Sequence, residues 1–334
     1  MVNLEDETKL LYLDQNMWIY LARIYYKVDT NSVRSRILNK IIELVESNKL
    51  IVPINLSNVQ ETLKRRDSGS RERLAEFMIK ISKGYTFIPY VFLLDIEIRN
   101  LFKCKINFPE TDIRKYAIGK GISFLLGGVP RMKTDKIDST LLEKINKEAR
   151  KHFDSPEFLL QCMLEPENNI WTSEFTGEID EMQQNIEKSR KEALKVKDRT
   201  RRYKFQVARH WIDSINHRIV KISSELNIPW NTIIPPSPSA DQIVEIFHEL
   251  PISYTNFCLY NGRNRQIHRP IEINDFLDIG SLSFAIPHCD FVVAERFFIS
   301  IAQNAHLDEL YNTVLLSNLE DLEVYLDEII EKNE

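Results

Sequence analysis

The fold is decided by the stretch Leu11-Tyr12-Leu13-Asp14-Gln15-Asn16-Met17-Trp18-Ile19-Tyr20-Leu21. Its apolar run predicts a buried strand that ends at Asp14, and apolar residues at helical spacing begin directly after it. Open parallel sheets bind ligands at the carboxyl ends of their strands, which is where Asp14 would lie. A carboxylate that loses water there needs a cation or hydrogen-bond donors around it. Acids at equivalent positions elsewhere in the chain would share that cation.

The composition sets limits on the class of protein. The chain has 334 residues, 43% of them hydrophobic and only nine glycines, which favours a large core and a helix-rich architecture. A formal net charge of −5 argues against a generally polybasic nucleic-acid binder, so any contact with nucleic acid requires a local basic patch.

The spacing of the cysteines and the lengths of the apolar runs predict the cellular compartment of the protein. The four cysteines, at 104, 162, 258 and 289, form no CxxC pair, which argues against a zinc ribbon or a disulfide scaffold and for a reducing environment. The acidic first residues do not resemble a signal peptide, and no apolar run approaches about 20 residues. We therefore expect a cytoplasmic protein without a membrane partner.

Strands and helices alternate at both ends of the chain. In residues 1–102 we predict strands at 10–13, 50–54 and 85–88, and helices at 16–27, 31–48, 58 onward, 70–82 and 91–102. In residues 255–334 we predict a helix at 275–285, strands at 291–294 and 314–316, and a final helix. Such alternation indicates an α/β fold with a central parallel sheet.

The middle of the chain, residues 103–254, shows no convincing strand and is predicted to be a helical insert. Its main helices would span 139–164, 180–226 and 240–249. Two capping boxes are predicted outside this insert, one in which Ser57 precedes Gln60 and one in which Ser317 precedes Glu320. The first would begin a helix at about Asn58 and place Glu61 in its first turn.

Several further acids would lie at the same edge of the sheet as Asp14. Glu295 follows a predicted strand, Asp290 precedes that strand, and Glu61 and Asp278 lie near predicted helix starts. Clustered carboxylates repel one another, and a hard divalent cation with oxygen ligands relieves that repulsion. Such a cation lowers the pKa of bound water and stabilises a phosphoryl transition state. The pattern therefore predicts a site for a hard divalent cation.

Four blocks of the sequence resemble the PIN-like nuclease family. They are Leu11–Leu21, Pro53–Leu63, Asp278-Ile279-Gly280-Ser281-Leu282-Ser283-Phe284-Ala285 and Ile286–Glu295. The resemblance implies a three-layer α/β/α fold and a metal-dependent nuclease with Mg²⁺ or Mn²⁺, acting on RNA more often than on DNA. It also implies the site residues. Catalytic metal ligands would be Asp14, Glu61, Asp278 and Glu295, with Asp290 as an alternative ligand and with Asn16 and Ser57 in support. A toxin or defence-effector role is compatible with the family.

Each acid also has a purely structural interpretation. Asp14 could cap a helix, Glu61 and Asp278 could interact with helix dipoles, Asp290 could occupy a turn, and Glu295 could be a surface acid. Gln15, Ala294 and Glu295 depart from the family's pattern. A catalytically inactive PIN-like binding or regulatory module is therefore the main alternative function.

A basic segment is predicted to bind nucleic acid. Residues 188–221 hold 12 Lys or Arg against three acids, and 195–204 is the densest part. The alternatives are a solvated helix face or a contact with the acidic stretch Glu165–Glu181. The insert could also hold a regulatory protein partner, and an oligomer is possible. The predicted nucleic-acid contacts are Lys195, Lys197, Arg199, Arg201, Arg202, Lys204, Arg263 and Arg265.

Arg263 and His268 provide a second, metal-independent alternative. Their Arg-x4-His spacing is that of HEPN-type ribonucleases, which need no metal. Asn261 and Gly262 precede the pair and predict a turn rather than a long helix. A basic loop that contacts substrate is the preferred interpretation of this segment.

Overall fold

Four short parallel strands form the central sheet of the computed structural model, which describes residues 7–128, 132–134, 136–165, 184, 187–188, 190–266, 268–270 and 272–332. In spatial order they are β2 (Leu50–Ile51), β1 (Lys9–Leu13), β5 (Phe291–Val293) and β6 (Val314–Leu316). Leu13 lies opposite Val293, and Val293 lies opposite Leu316. The predicted α/β class with a parallel sheet is confirmed, and strands from the two ends of the chain lie side by side.

A second, two-stranded sheet consists of β3 (Tyr85–Phe87) and β4 (Ile118–Lys120), which pair antiparallel. A parallel bridge from Thr86 to Ile54 joins it to the segment that follows β2. The prediction that residues 103–250 contain no strand is wrong because of β4. A Cβ at Gly119 would lie 2.3 Å from the Phe124 ring, so the strand depends on close packing that leaves no periodic signal in the sequence.

Helices cover both faces of the sheet and make up most of the remaining described chain. They are α1 (Gln15–Tyr25), α2 (Ser32–Glu46), α3 (Leu56–Leu63), α4 (Ser68–Ser82), α5 (Tyr90–Lys105), α6 (Ile113–Tyr116), α7 (Gly121–Leu125), α8 (Ser139–Phe153), α9 (Pro156–Leu164), α10 (Arg199–His210), α11 (Asn216–Leu226), α12 (Ala240–His248), α13 (Pro251–Asn264), α14 (Ile273–His288), α15 (Arg296–Asn304), α16 (Leu307–Tyr311) and α17 (Glu323–Glu331). A π-helical turn, Trp211–Ile215, joins α10 to α11.

Most predicted helices are confirmed, with two differences in the insert. The helix predicted at 139–164 is two helices, because Ser155 ends the first and caps the second by accepting from the Phe158 N–H at 3.2 Å. The helix predicted at 180–226 is also divided, because residues 196–198 are not helical and Asp198 caps α10 by accepting from the Arg201 N–H at 2.7 Å. Most of residues 180–189 lie outside the described residues.

Asn55 rather than Ser57 begins α3. Its side chain accepts from the Asn58 N–H at 2.8 Å, and the Asn58 side chain accepts from the Asn55 N–H at 3.2 Å. This reciprocal pair places Glu61 in the second turn of α3, so its predicted first-turn position is wrong. The box predicted at Ser317 is also wrong, because a 3-10 turn, Glu320–Leu322, precedes α17.

Successive side chains of β1 point to opposite faces of the sheet and so belong to two different apolar clusters. Leu11 and Leu13 face one apolar cluster, built with α1, α2, α4, α9 and α17, whereas Leu10 and Tyr12 face another, built largely with α14 and α15. A third cluster joins α5 to the insert, where Phe102 packs with Trp211 and Phe247. In the part of the chain that the structure describes, no helix is long and apolar enough to cross a membrane.

Candidate active site

Asp14 lies at the carboxyl end of β1, as predicted, and also caps α1. Its backbone N–H donates to the Val293 carbonyl at 2.9 Å, and its carboxylate accepts from the Gln15 N–H at 2.7 Å. The side chain is buried, and burial raises the pKa of Asp14 to about 6, with the negative charge of Glu295 adding to the rise. The structural role as a cap and the position predicted for a metal ligand therefore coincide in one residue.

Glu295 lies two residues beyond β5, the strand beside β1. It begins α15 without using its side chain as a cap. Instead, the Asn16 side-chain amide donates to the Glu295 carboxylate at 3.3 Å. The Glu295 backbone N–H also hydrogen-bonds the Asp14 carboxylate and lowers its pKa. Asn16 and Glu295 thus connect the ends of two adjacent parallel strands.

Two helices contribute the other two acids, with Glu61 on α3 and Asp278 on α14. Ser57 on α3 and Ser281 on α14 approach each other, with their hydroxyl oxygens 3.3 Å apart. Glu61 lies four residues after Ser57, and Asp278 lies three residues before Ser281, so each acid shares a helix face with its serine. The serine contact therefore aligns the two acids, and it assigns the predicted supporting residue Ser57 a positioning role.

The pKa values of Asp14, Glu61 and Asp278 are each raised in part by the charges of neighbouring acids, Glu295 among them. Burial raises the pKa of Glu61 to about 7, and Asp14 and Glu295 raise it further while Lys64 opposes them. Burial raises the pKa of Asp278 to about 8, with the charges of Asp14, Glu61 and Glu295 adding to the rise. Mutual repulsion of this kind requires proximity. The structure therefore brings all four predicted catalytic acids into one electrostatic cluster.

Tyr12 is electrostatically linked to this cluster and was not predicted as a site residue. Its phenol is buried, and burial raises its pKa well above the ordinary value, with Asp14 and Asp278 next in effect. The Ser281 hydroxyl hydrogen-bonds the phenol and lowers its pKa. The signal in the sequence is the two-residue spacing from Tyr12 to Asp14, which places both on one side of a strand.

The acids supply carboxylate oxygens, but among the described residues no three His, Cys, Asp or Glu are grouped closely enough to coordinate one ion directly. Mg²⁺ usually keeps several waters and binds through one or two carboxylates, so direct ligation by all four acids is not required. Buried carboxylates with raised pKa values are the oxygen donors that such an ion would stabilise.

Asp290 does not join the cluster, so its predicted role as a metal ligand is wrong. It lies at the amino end of β5, where its backbone N–H donates to the Leu10 carbonyl at 3.0 Å. Four residues of strand, roughly 13 Å, separate Leu10 from Asp14. The Asp290 carboxylate instead pairs with Lys9 at 2.9 Å and with Arg114 at 2.5 Å. It holds α6 and the start of β1 against β5.

Gln15, which departs from the family's pattern, connects α1 to α3. Its side-chain amide donates to the Thr62 hydroxyl at 3.0 Å and accepts from the Asn58 side chain at 3.1 Å. All three side chains are buried. Because Gln15 follows Asp14 and Thr62 follows Glu61, this network sets the separation of two of the acids.

Three of the residues predicted to contact nucleic acid line one groove. Arg199, Arg202 and Arg265 line a groove of about 460 Å³ together with Arg190 and Tyr203. Lys195, Lys197 and Arg201 are exposed, and Lys204 pairs with Asp241 at 2.8 Å. The proposed acidic partner, residues 165–181, lies outside the described residues beyond Glu165.

Arg263 is buried, so the prediction that it contacts nucleic acid is wrong. It is 1% exposed and pairs with the buried Asp275 at 2.7 Å. It also donates to the backbone carbonyls of Arg269 and Pro270. His268 is exposed, so the two residues form no catalytic pair of the metal-independent kind. Asn261 and Gly262 lie inside α13 rather than in a turn.

Comparison of the chain with protein-family models, with curated proteins and with solved structures finds no match. The resemblance to PIN-like nucleases therefore stays a prediction from the four sequence blocks. The functional argument rests on the geometry of the acid cluster.

Proposed function

We propose that the protein is a metal-dependent nuclease of PIN-like type that hydrolyses phosphodiester bonds in RNA, with single-stranded DNA as a second substrate. The observation that carries the proposal is the convergence of Asp14, Glu61, Asp278 and Glu295 at the carboxyl end of a parallel sheet. Open α/β sheets bind substrates at this edge. Perturbed acids in such a position are candidates for catalysis.

Asp14 and Glu295 would hold a Mg²⁺ or Mn²⁺ ion between adjacent strand ends. When bound, such an ion supplies an activated water and neutralises charge on the phosphate. Asn16 would hold the Glu295 carboxylate in place through its 3.3 Å hydrogen bond. Glu61 and Asp278, with pKa values of about 7 and 8, would complete the acidic pocket and position water. The Tyr12 hydroxyl, whose pKa is raised by burial and by Asp14, Asp278 and Glu61, would stay protonated beside them.

The groove of Arg199, Arg202 and Arg265 would bind the backbone of the substrate. The planar guanidinium of arginine recognises phosphate through two parallel hydrogen bonds. A protein with net charge −5 requires such a local concentration of positive charge to attract RNA. Exposed Lys195, Lys197 and Arg201 would extend this surface.

A second candidate function is a catalytically inactive PIN-like module that binds nucleic acid or a regulatory partner. The observation that favours it is that no described trio of acids can coordinate one ion directly. This candidate predicts binding of RNA without cleavage and no response to divalent ions.

Cleavage of labelled RNA and DNA strands tests the proposal. We expect the wild type to cleave single-stranded RNA with Mn²⁺ or Mg²⁺, EDTA to abolish cleavage, and Asp14→Asn to lower the rate at least a hundredfold. The matched control is Asp290→Asn, which removes an acid at the opposite end of β5 and should leave the rate within a few-fold of wild type. Cleavage that persists in EDTA would overturn the metal mechanism, and RNA binding without cleavage would favour the inactive module.

A further inference from the structure

A second basic groove, distinct from the one near Arg199, lies beside α1, the helix that Asp14 caps, and beside the loop that follows the helix of Glu61. Its volume is about 290 Å³, and it opens between α1, α4 and the loop that joins α3 to α4. Three arginines from three different segments reach it, namely Arg23, Arg65 and Arg73. Its apolar lining comes from Ile19, Ala22 and Leu74.

The positive charges that line this groove favour the binding of an anion. Among the described residues no acid lines it, and neither Arg23 nor Arg73 forms a salt bridge there. The nearby Glu76 accepts a hydrogen bond from the Tyr26 hydroxyl at 3.1 Å. Three guanidinium groups around one concavity repel one another, and a phosphate between them would remove that repulsion.

Arg65 is held in place while the other two arginines are not. Its guanidinium donates to the Ser70 hydroxyl at 2.9 and 3.2 Å, and its carbonyl accepts from Arg71 at 2.8 Å. Arg23 and Arg73 are exposed. The site therefore combines one arginine that is fixed by hydrogen bonds with two exposed arginines whose guanidinium groups are open to an anion.

The hydrogen bond between Gln15 and Thr62 locates the groove relative to the acids. These residues directly follow Asp14 and Glu61, and their 3.0 Å bond joins α1 to α3. Arg65 lies three residues after Thr62. Arg23 lies eight residues after Gln15, or about 12 Å along α1. A stacked strand advances about 3.4 Å per nucleotide, so this distance corresponds to roughly two to four nucleotides.

We propose that this groove is a phosphate-binding subsite for the single-stranded nucleic-acid substrate. It would contact the backbone about two to four nucleotides from the scissile phosphate. The inference rests on the proposed nuclease function and adds substrate positioning to it. Strands too short to reach the groove should be cleaved with a higher KM and a similar kcat, because the subsite adds binding energy away from the reacting atoms.

Binding measurements test the subsite without requiring catalysis. The background is Asp14→Asn, and the probe is a labelled single-stranded RNA of ten nucleotides, measured by fluorescence anisotropy across a range of salt. Arg23→Gln or Arg73→Gln should weaken binding roughly fivefold to tenfold. Each should also lower the slope of log affinity against log salt by about 0.7, the value for one phosphate contact on a single strand.

A matched control and a modified probe locate the contact. Arg66 is exposed, belongs to the same loop and does not line the groove, so Arg66→Gln should change the affinity less than twofold. One neutral methylphosphonate, moved along the RNA, should weaken binding most at a single position in the Asp14→Asn parent. That penalty should disappear in Arg73→Gln, as expected when two changes remove the same contact.

The outcomes separate this inference from the proposed function. Equal losses in Arg66→Gln and the groove variants, or a flat methylphosphonate profile, would overturn the subsite while leaving metal-dependent cleavage intact. Binding that depends on the groove, together with no cleavage by the wild type, would overturn the nuclease assignment and support the groove as a nucleic-acid contact.

Discussion

Asn16 and Glu295 are 279 positions apart in the chain, and the side-chain amide of Asn16 donates to the Glu295 carboxylate at 3.3 Å. The residues adjoin β1 and β5, which pair in parallel. This relationship shows that the candidate site is built by both ends of the chain. It also places a neutral donor among acids that otherwise repel one another.

Neutralising Asp14 should stabilise the protein when no metal is bound. Burial raises its pKa to about 6, so the ionised side chain destabilises the folded state at pH 8. Asp14→Asn keeps an acceptor for the Gln15 N–H and removes the charge. In EDTA at pH 8 we expect Tm to rise by a few degrees, measured by calorimetry. In Mn²⁺ the wild type should instead have the higher Tm, because only the wild type gains stability from the ion. A lower Tm for the variant in EDTA would contradict the prediction.

The stability of the metal-free protein should fall as pH rises from about 4 to 8 and level off above pH 8. The pKa of Asp278 is raised from 3.8 to about 8 in the folded state, so between these values the group binds more protons folded than unfolded. Such an acid lowers the stability of the fold across that range, and the loss is complete once the folded group has also ionised. Asp278→Asn should remove part of this loss of stability, measured from urea unfolding curves at each pH. Saturating Mn²⁺ should flatten the wild-type profile, and an unchanged profile in the variant would contradict the prediction.

Glu97 should behave as a neutral residue at pH 7. It is buried on α5, and its carboxyl accepts from the Ile252 N–H at 2.6 Å and the Ser253 N–H at 3.3 Å. Burial raises its pKa to about 8. The unfolded carboxyl ionises near its ordinary value while the folded one stays neutral, so Glu97→Gln should raise the free energy of unfolding at pH 7. Glu97→Leu leaves two N–H groups unpaired and should be about 1–3 kcal/mol less stable than Glu97→Gln. Urea titrations at pH 7 and 9 would test this, since Glu97→Gln should be the more stable protein at pH 9.

Arg263 should matter for stability, and His268 should matter for neither stability nor cleavage. Arg263→Met leaves the buried Asp275 with Arg269, which pairs with it at 2.8 Å, and with the Glu272 N–H, which donates to it at 3.1 Å. Removing one partner of a buried ion pair costs about 3–5 kcal/mol. His268→Ala and the exposed control Arg265→Gln should stay within about 0.5 kcal/mol of wild type. Loss of cleavage in His268→Ala, with unchanged stability, would instead support the metal-independent mechanism.

The strand ends could be predicted from the sequence because short apolar runs mark them clearly. Asp14 and Glu295 therefore lie where the pattern placed them, beside β1 and β5. The choice between Asp290 and Glu295 depended on strand direction and on distant cations, Lys9 and Arg114, that no local spacing reveals. The helix starts near Glu61 and Asp278 were misplaced because alternative caps compete locally.

Gly262 shows why the Arg263 prediction failed. Next to Asn261, glycine favours a turn by local chemistry. In the structure a Cβ at Gly262 would lie 2.3 Å from the Ile301 side chain, so the glycine allows α13 to pack closely against α15. That packing carries Arg263 into the interior, beside Asp275. The arginines of the second groove were missed for a related reason, because three separate segments supply them.

The central position of β1 affects how the chain acquires its fold during synthesis. Its neighbour β5 emerges from the ribosome about 280 residues later, so one side of β1 stays unpaired while the intervening helices form. Contacts so distant in sequence slow folding and leave an apolar strand open to wrong partners. Until residue 295 has been made, Glu295 is absent, so a nascent chain would lack one of the four acids of the proposed nuclease site.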